Sequence, residues 1–239
     1  KNETENEKAP SSYAIKHIPF TKEMKQRHTI LAPQMAPAHF ELLEAVFNKY
    51  GYNFKVLKQP TKHAVDVGLK YVNNDACYPS IIVVGQLIEA LQSGEYDLEN
   101  TTVIITQTGG GCRATNYIGF LRKALKDAGF EKIPVLSLNV VGLEKNPGFK
   151  LTLPLFKDLA FGIIYGDFLV RLWLRTRPYE KNPGESDRLY EKWIGKCREA
   201  VVSGKASLIK KICSEMLADF KAVKIGERNK PRVAIVGEI

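Results

Sequence analysis

The stretch Thr101-Thr-Val-Ile-Ile-Thr106-Gln-Thr-Gly-Gly-Gly-Cys-Arg-Ala-Thr-Asn-Tyr117 changes character twice. Thr101 to Thr106 is β-branched and apolar, the composition of a strand covered on both faces. Gly109, Gly110 and Gly111 then permit positive φ and close approach of the backbone to a ligand. From Ala114 to Ala128, Ile118, Leu121 and Leu125 recur at helical spacing, with Gly129 as the stop. Strand, glycine loop and helix in succession is the ligand-facing geometry of open α/β sheets, where the unpaired amides of the new helix offer donors.

Upstream, His28–Ala32 and Asn53–Leu57 read as short strands on either side of a helix from Pro37 to Tyr50. Phe40, Leu43, Val46 and Phe47 form its apolar face and Gly51 ends it. Thr61–Val72 and Pro79–Leu91 read as two further helices. Downstream, Pro134–Leu138 is a fourth strand and Asn146-Pro147-Gly148 a loop. Helical periodicity follows over about 153–176, 185–203 and 206–223, and a new β-branched run starts at Arg232. The alternation predicts an α/β fold, a mainly parallel sheet with helices on both faces, followed by a helical C-terminal segment. The expected division is a polar linker at 1–17, an α/β subdomain with cysteine loops at 18–150, a helical segment at 151–230 and the first strand of a further, truncated subdomain at 231–239. On that reading the chain is a fragment of a longer protein.

With 239 residues, 44% hydrophobic and 26% charged, the chain has the composition of a globular protein with a sizeable core. The net charge of +9 permits a nucleotide or acyl-CoA partner, but the basic residues are scattered, without an arginine-rich arm, and nucleic-acid binding is not expected. The apolar stretch Leu153–Leu174 is interrupted by Lys157, Asp158, Asp167 and Arg171, which argues for a buried amphipathic helix and against a membrane span. Four dispersed cysteines and no signal peptide point to a reduced, cytoplasmic setting.

Cys112 stands at the mouth of the glycine loop, where a helix N-terminus favours a thiolate. A cysteine there serves as nucleophile, metal ligand or small buried filler, and the triple glycine argues against filler. Cys77, in Val72-Asn-Asn-Asp-Ala-Cys-Tyr-Pro79, precedes a helix with Pro79 suited to its first turn. The separation of the two cysteines fits neither a CxxC redox pair nor paired zinc knuckles. Thiolates taken singly from different loops are how an α/β fold builds an iron–sulfur site, although two are too few for a four-iron cluster. Asn74 and Asp75 beside Cys77, and Gln107, Thr108, Arg113 and Asn116 around Cys112, are placed to hydrogen-bond cluster sulfurs or a substrate headgroup. Asn-Asn-Asp is equally an ordinary helix-ending sequence.

Cys197 and Cys213 lie inside helical patterns and read as packing residues. His28 and His39 read as capping or surface residues, and His17, His28, His39 and His63 lack zinc-hydrolase spacing. The glycine loop matches neither a Walker A motif nor GxGxxG, and no GxSxG elbow is present.

The segments Val72–Pro79 and Thr106–Tyr117 resemble the 2-hydroxyacyl-CoA dehydratase superfamily, and more closely the dehydratase-like C-terminal region of large acyl-CoA dehydratase activase proteins. Agreement extends from about Ile18 to the terminus, including Gly142-Leu-Glu-Lys-Asn-Pro-Gly-Phe-Lys-Leu-Thr152 and Val236-Gly-Glu-Ile239. The resemblance implies Rossmann-like subdomains and a [4Fe–4S] or double-cubane cluster held by cysteines from different subdomains. It also implies ATP-driven, low-potential reduction of that cluster by an actin/Hsp70-like activase. In true dehydratases the electron then enables elimination of water from a 2-hydroxyacyl-CoA.

Cys77 and Cys112 match the cysteine positions and are the implied ligands, with Asn74, Asp75, Gln107, Thr108, Gly109, Gly110, Gly111, Arg113 and Asn116 forming the surrounding loops. A third cysteine in a suitable loop is absent from this sequence, and residues past Ile239 are its expected source. The activase ATP site is absent as well, so ATP is expected only on a separate activase domain. Expected partners are that activase, an acyl-CoA or other small-molecule substrate, and further copies of the chain. The competing expectations are a scaffold domain that keeps the fold without a complete cluster, and a phosphate-binding domain using Thr108–Arg113.

Overall fold

In a computed structural model of the chain, residues 17–73, 75–106, 116–138, 145–227, 231 and 233 are described. Most of the expected N-terminal linker and most of the C-terminal strand fall outside them. Short helix α1 (Lys22–Arg27) leads into β1 (Thr29–Ala32), α2 (Pro37–Lys49) and β2 (Asn53–Val56). Helices α3 (Lys62–Tyr71) and α4 (Tyr78–Gln92) precede β3 (Thr101–Thr106), α5 (Tyr117–Asp127) and β4 (Val135–Leu138). Helices α6 (Leu153–Thr176), α7 (Glu185–Ser203) and α8 (Leu208–Ala222) complete the described elements.

The four strands form one all-parallel sheet in the order β2-β1-β3-β4. The chain leaves β1 toward β2 on one side and later returns to β3 on the other, so the strand order reverses between β1 and β3. Such a switch point opens a crevice beyond the carboxyl ends of the strands.

Period-two alternation assigns the core residues to two layers. Ile30 and Ala32 of β1, Ile104 of β3 and Leu136 of β4 meet α2, α6, α7 and α8, with Leu42, Phe47, Tyr165 and Trp193 at the centre. Leu31, Val103, Ile105 and Val135 meet α3, α4 and α5 through Val84, Leu87, Ile88 and Leu121. The expected α/β architecture with both sheet faces covered is therefore what the chain adopts. The helical C-terminal segment packs on the same sheet face as α2.

Three features differ from the sequence reading. Helix α1 is an added element. Thr21 caps it by accepting from the Met24 amide at 3.3 Å, while the Met24 sulfur accepts from the Thr21 amide at 3.5 Å. A methionine in the place of the Glu or Gln of a capping box hides the signal. Second, the His28 backbone caps α1 but its ring is buried, and Nδ1 lies 2.9 Å from the Thr102 hydroxyl. Burial holds its pKa below the ordinary value. His39 stands within α2, with Nε2 2.9 Å from the Asp167 carboxylate. Third, α6 buries one face, along Leu155, Asp158, Gly162, Tyr165, Gly166 and Leu169, and its outer face exposes Leu153, Phe156, Ile163, Ile164 and Leu174.

Candidate functional site

The turn before α4 is set by local chemistry. The Asn73 side-chain oxygen accepts from the Asp75 amide at 3.0 Å, and its carbonyl accepts from the Ala76 amide at 2.9 Å. This brings Cys77 to the N-cap of α4, with Pro79 in the first turn. The Cys77 carbonyl accepts from the Ser80 amide at 3.0 Å and the Ser80 hydroxyl at 2.7 Å. Ser80 is fully buried, so the cap is anchored from below.

Two glycines place the helix carrying this cap. A Cβ on Gly68 would meet the Ile81 carbonyl oxygen at 2.1 Å, and one on Gly85 would meet the Ala64 carbonyl oxygen at 2.0 Å. Helices α3 and α4 thus touch backbone to backbone, which fixes the α4 N-terminus against the sheet.

The Cys77 sulfur lies 3.2 Å from the hydroxyl of Tyr117, the buried first residue of α5. The N-termini of α4 and α5 therefore converge. The same edge holds Met35, just past β1, whose sulfur accepts from the Thr106 hydroxyl at the end of β3 at 3.8 Å. Partial burial by itself pushes the Cys77 thiol up. Hydrogen bonds from Tyr117, from the amide and hydroxyl of Ser80 and from its own amide outweigh that, and its pKa lies below the ordinary thiol value. Tyr78, next in the chain, is 59% exposed, so the cap opens to solvent.

The other cysteines behave oppositely. Cys197 is fully buried and Cys213 partly so, both against the α2–α6–α7–α8 core. Burial, then the nearby Cys213, pushes Cys197 up to about 12, and burial raises Cys213. They are packing residues, as their helical setting suggested.

Asp75 is exposed in the Cys77 turn and Asn116 is exposed at the N-cap of α5. The contact of Tyr117 with Cys77 places the Cys77 turn and the start of α5 at one end of the molecule. Asn74, Gln107, Thr108, Gly109, Gly110, Gly111, Cys112 and Arg113 lie outside the described residues. Among the described residues, no group of three or more His, Cys, Asp or Glu side chains could hold a metal ion. Cys77, partly exposed and of lowered pKa, has the chemistry of a sulfur donor.

Two hollows flank the edge. One of about 160 Å³ lies between the β1 and β2 exit loops and α4, lined by Gln34, Met35, Gln59 and Pro79 among others. Gln86 braces it, accepting from the Gln34 amide at 2.9 Å and donating to the Lys58 carbonyl. A larger one of about 610 Å³ opens at the α2 N-terminus between His39, Gln59, Val170, Trp173, Arg177 and Tyr190. Both share Pro37 and Gln59, and the larger is of a size that takes a small organic molecule.

Tyr117 and Ser80 are the site residues that the sequence did not single out for Cys77. Ser80 follows at the spacing of a helix first turn and was open to inference, whereas the 40-residue separation of Tyr117 from Cys77 carries no local signal. Compared with protein-family models, with curated proteins and with solved structures, the chain matches none. No helix among the described residues is long and apolar enough to cross a membrane.

Proposed function

We propose that this chain is an iron–sulfur electron-transfer domain of a 2-hydroxyacyl-CoA dehydratase/activase-like system, supporting ATP-driven low-potential reduction. The observation that carries the reading is Cys77. It is a partly exposed thiol of lowered pKa at a helix N-terminus, facing the start of the helix that follows the Gly109–Cys112 loop in sequence. The motif resemblance at Val72–Pro79 and Thr106–Tyr117 supplies the identity of the cofactor. Cys77 and Cys112 are the proposed ligands, with the remaining ligands from outside these residues. A bound cluster supplies one-electron chemistry.

The chain's own part is to present a thiolate, to hold it by the Tyr117 and Ser80 hydrogen bonds, and to leave the cap open to a partner. Hydrogen bonds to ligand sulfur stabilise added negative charge, so Tyr117 belongs to the groups that set the potential. ATP is assigned to a separate activase, and the small-molecule substrate to the carboxyl-edge hollows. The described cysteines are all free thiols, which suits a reducing compartment such as the cytoplasm.

The test is electron paramagnetic resonance of dithionite-reduced protein after anaerobic reconstitution. A cluster signal that disappears in Cys77→Ser and in Cys112→Ser is expected. A signal that survives both replacements overturns the assignment. A second reading, a docking domain without a complete cluster, is favoured by the apolar outer face of α6. It predicts unchanged electron transfer after both cysteine replacements and lost partner binding after Ile163→Asp.

A further inference from the structure

A cavity of about 270 Å³ lies at the amino edge of the sheet, the opposite edge from Cys77. Its lining holds three lysines, Lys22 of α1, Lys25 of α1 and Lys150 before α6, together with Tyr50, Tyr52 and Thr152, and no carboxylate. The walls are built by long-range contacts. The Gly148 amide donates to the Phe20 carbonyl at 2.8 Å, and a Cβ on Gly148 would strike the Thr21 carbonyl oxygen at 1.9 Å. The Phe20 amide donates to the Asn146 side chain at 2.9 Å. The Lys150 amide donates to the Tyr52 hydroxyl at 3.0 Å, so the lysine's backbone is pinned to the start of β2. Segment 146–152 therefore has a structural address that the proposed redox role leaves unexplained.

Among the described residues, the lysines meet no carboxylate in the lining of the cavity. Lys25 donates to the Tyr50 carbonyl at 3.0 Å and sits 4.1 Å from the Tyr52 ring centroid, which fixes its ammonium at the cavity wall. Among the described residues, no carboxylate lies within ion-pair distance of Lys22, Lys25 or Lys150. Glu23, beside Lys22, hydrogen-bonds to Thr21 and feels the Lys22 charge, but it makes no ion pair with Lys22 and is not part of the lining. Asp158, behind Tyr50, is neutralised by Lys49 at 2.6 Å. Thr152 is the N-cap of α6, a 24-residue helix whose positive end adds to the same field. Like charges gathered in a concave, partly apolar site repel one another unless an anion is present.

We propose that this cavity binds the phosphoryl groups of a small-molecule ligand, a diphosphate in particular. The volume decides between ligand sizes. Whole drug-sized ligands occupy about 300–1,000 Å³, so about 270 Å³ takes the anionic end of a ligand. The apolar walls from Tyr50, Pro147 and Leu155 exclude water around that end and strengthen each lysine contact. The site is independent of iron and of Cys77.

The test is isothermal titration of the protein with inorganic pyrophosphate and, separately, with ADP, in 0.1 M salt. Saturable binding is expected, weakened about tenfold or more in Lys22→Gln/Lys150→Gln and unchanged in Lys70→Gln on α3. Lys22 and Lys150 are exposed and their removal leaves the fold intact, which circular dichroism checks. Equal affinity for the two ligands identifies free diphosphate chemistry and tighter ADP binding identifies a nucleotide; either supports the site. No saturable binding, or the same loss in Lys70→Gln as in the double variant, overturns it.

Discussion

Asp158 interrupts the apolar run of α6 and yet is only 1% exposed. It is retained because Lys49 and the Tyr50 hydroxyl both reach its Oδ2, at 2.6 and 2.9 Å. Burial alone would raise its carboxyl, but these partners outweigh burial and hold it below the usual carboxylate range. Burial and the carboxylate together push Tyr50 up to about 12. A folded-state pKa below the unfolded value stabilises the protein above the unfolded value, about 3.9, and this contribution is lost as pH falls through the folded value. Asp158→Ala leaves Lys49 without its partner and is expected to cost about 3 kcal/mol at pH 7 by thermal denaturation. Asp158→Asn should flatten the fall in stability below pH 4.

Tyr117 poses the corresponding test at Cys77. In metal-free protein, Tyr117→Phe removes a donor to the thiolate, so the thiol pKa rises and alkylation of the Cys77 peptide at pH 7 slows about threefold, followed by mass spectrometry. An unchanged rate would show that the hydroxyl does not favour the thiolate. Cys77 itself was legible in the sequence from its position before Tyr78-Pro79. Its partner was not, because side-chain hydrogen bonding between distant segments leaves no periodic trace.

Among the elements, the strands were the most legible, since buried parallel strands such as Thr101–Thr106 are β-branched throughout. Helices α2, α6 and α7 followed from their spacing, and their observed bounds agree closely with it. Helix α8 starts later than its periodicity suggested, because Lys205 and Ala206 form turns whose carbonyls accept from Leu208 and Ile209. The backbone contact of α3 with α4 could not be read, since glycines in helical patterns carry no indication of what faces them. Two glycines make the distinction measurable. Gly85→Ala, whose Cβ would meet the Ala64 carbonyl oxygen at 2.0 Å, should destabilise the protein by about 2–3 kcal/mol in urea unfolding. Gly119→Ala, on the exposed side of α5 with nothing within 4 Å, should stabilise it by about 0.5–1 kcal/mol.

For the whole molecule, alternation of strands and helices implied a parallel sheet, but not the order β2-β1-β3-β4. That order sets the switch point beside Met35 and Thr106 and gathers the N-termini of α4 and α5 at one edge. The opposite edge carries the lysine cavity, so the fold separates a thiol-bearing end from a cationic one. The sequence implies a buried amphipathic helix over α6, and the helix buries one face, but its outer face is a long exposed apolar surface, because only Leu155, Tyr165 and Leu169 of its large apolar residues are buried.

The account turns on whether the thiol-bearing end holds iron. Iron and acid-labile sulfide should be assayed in anaerobically reconstituted protein beside Cys77→Ser, with folding checked by circular dichroism. The account predicts iron and sulfide in equal amounts, about four of each per bound [4Fe–4S] cluster, and their loss in the variant. Folded protein that keeps its iron after Cys77→Ser would contradict it.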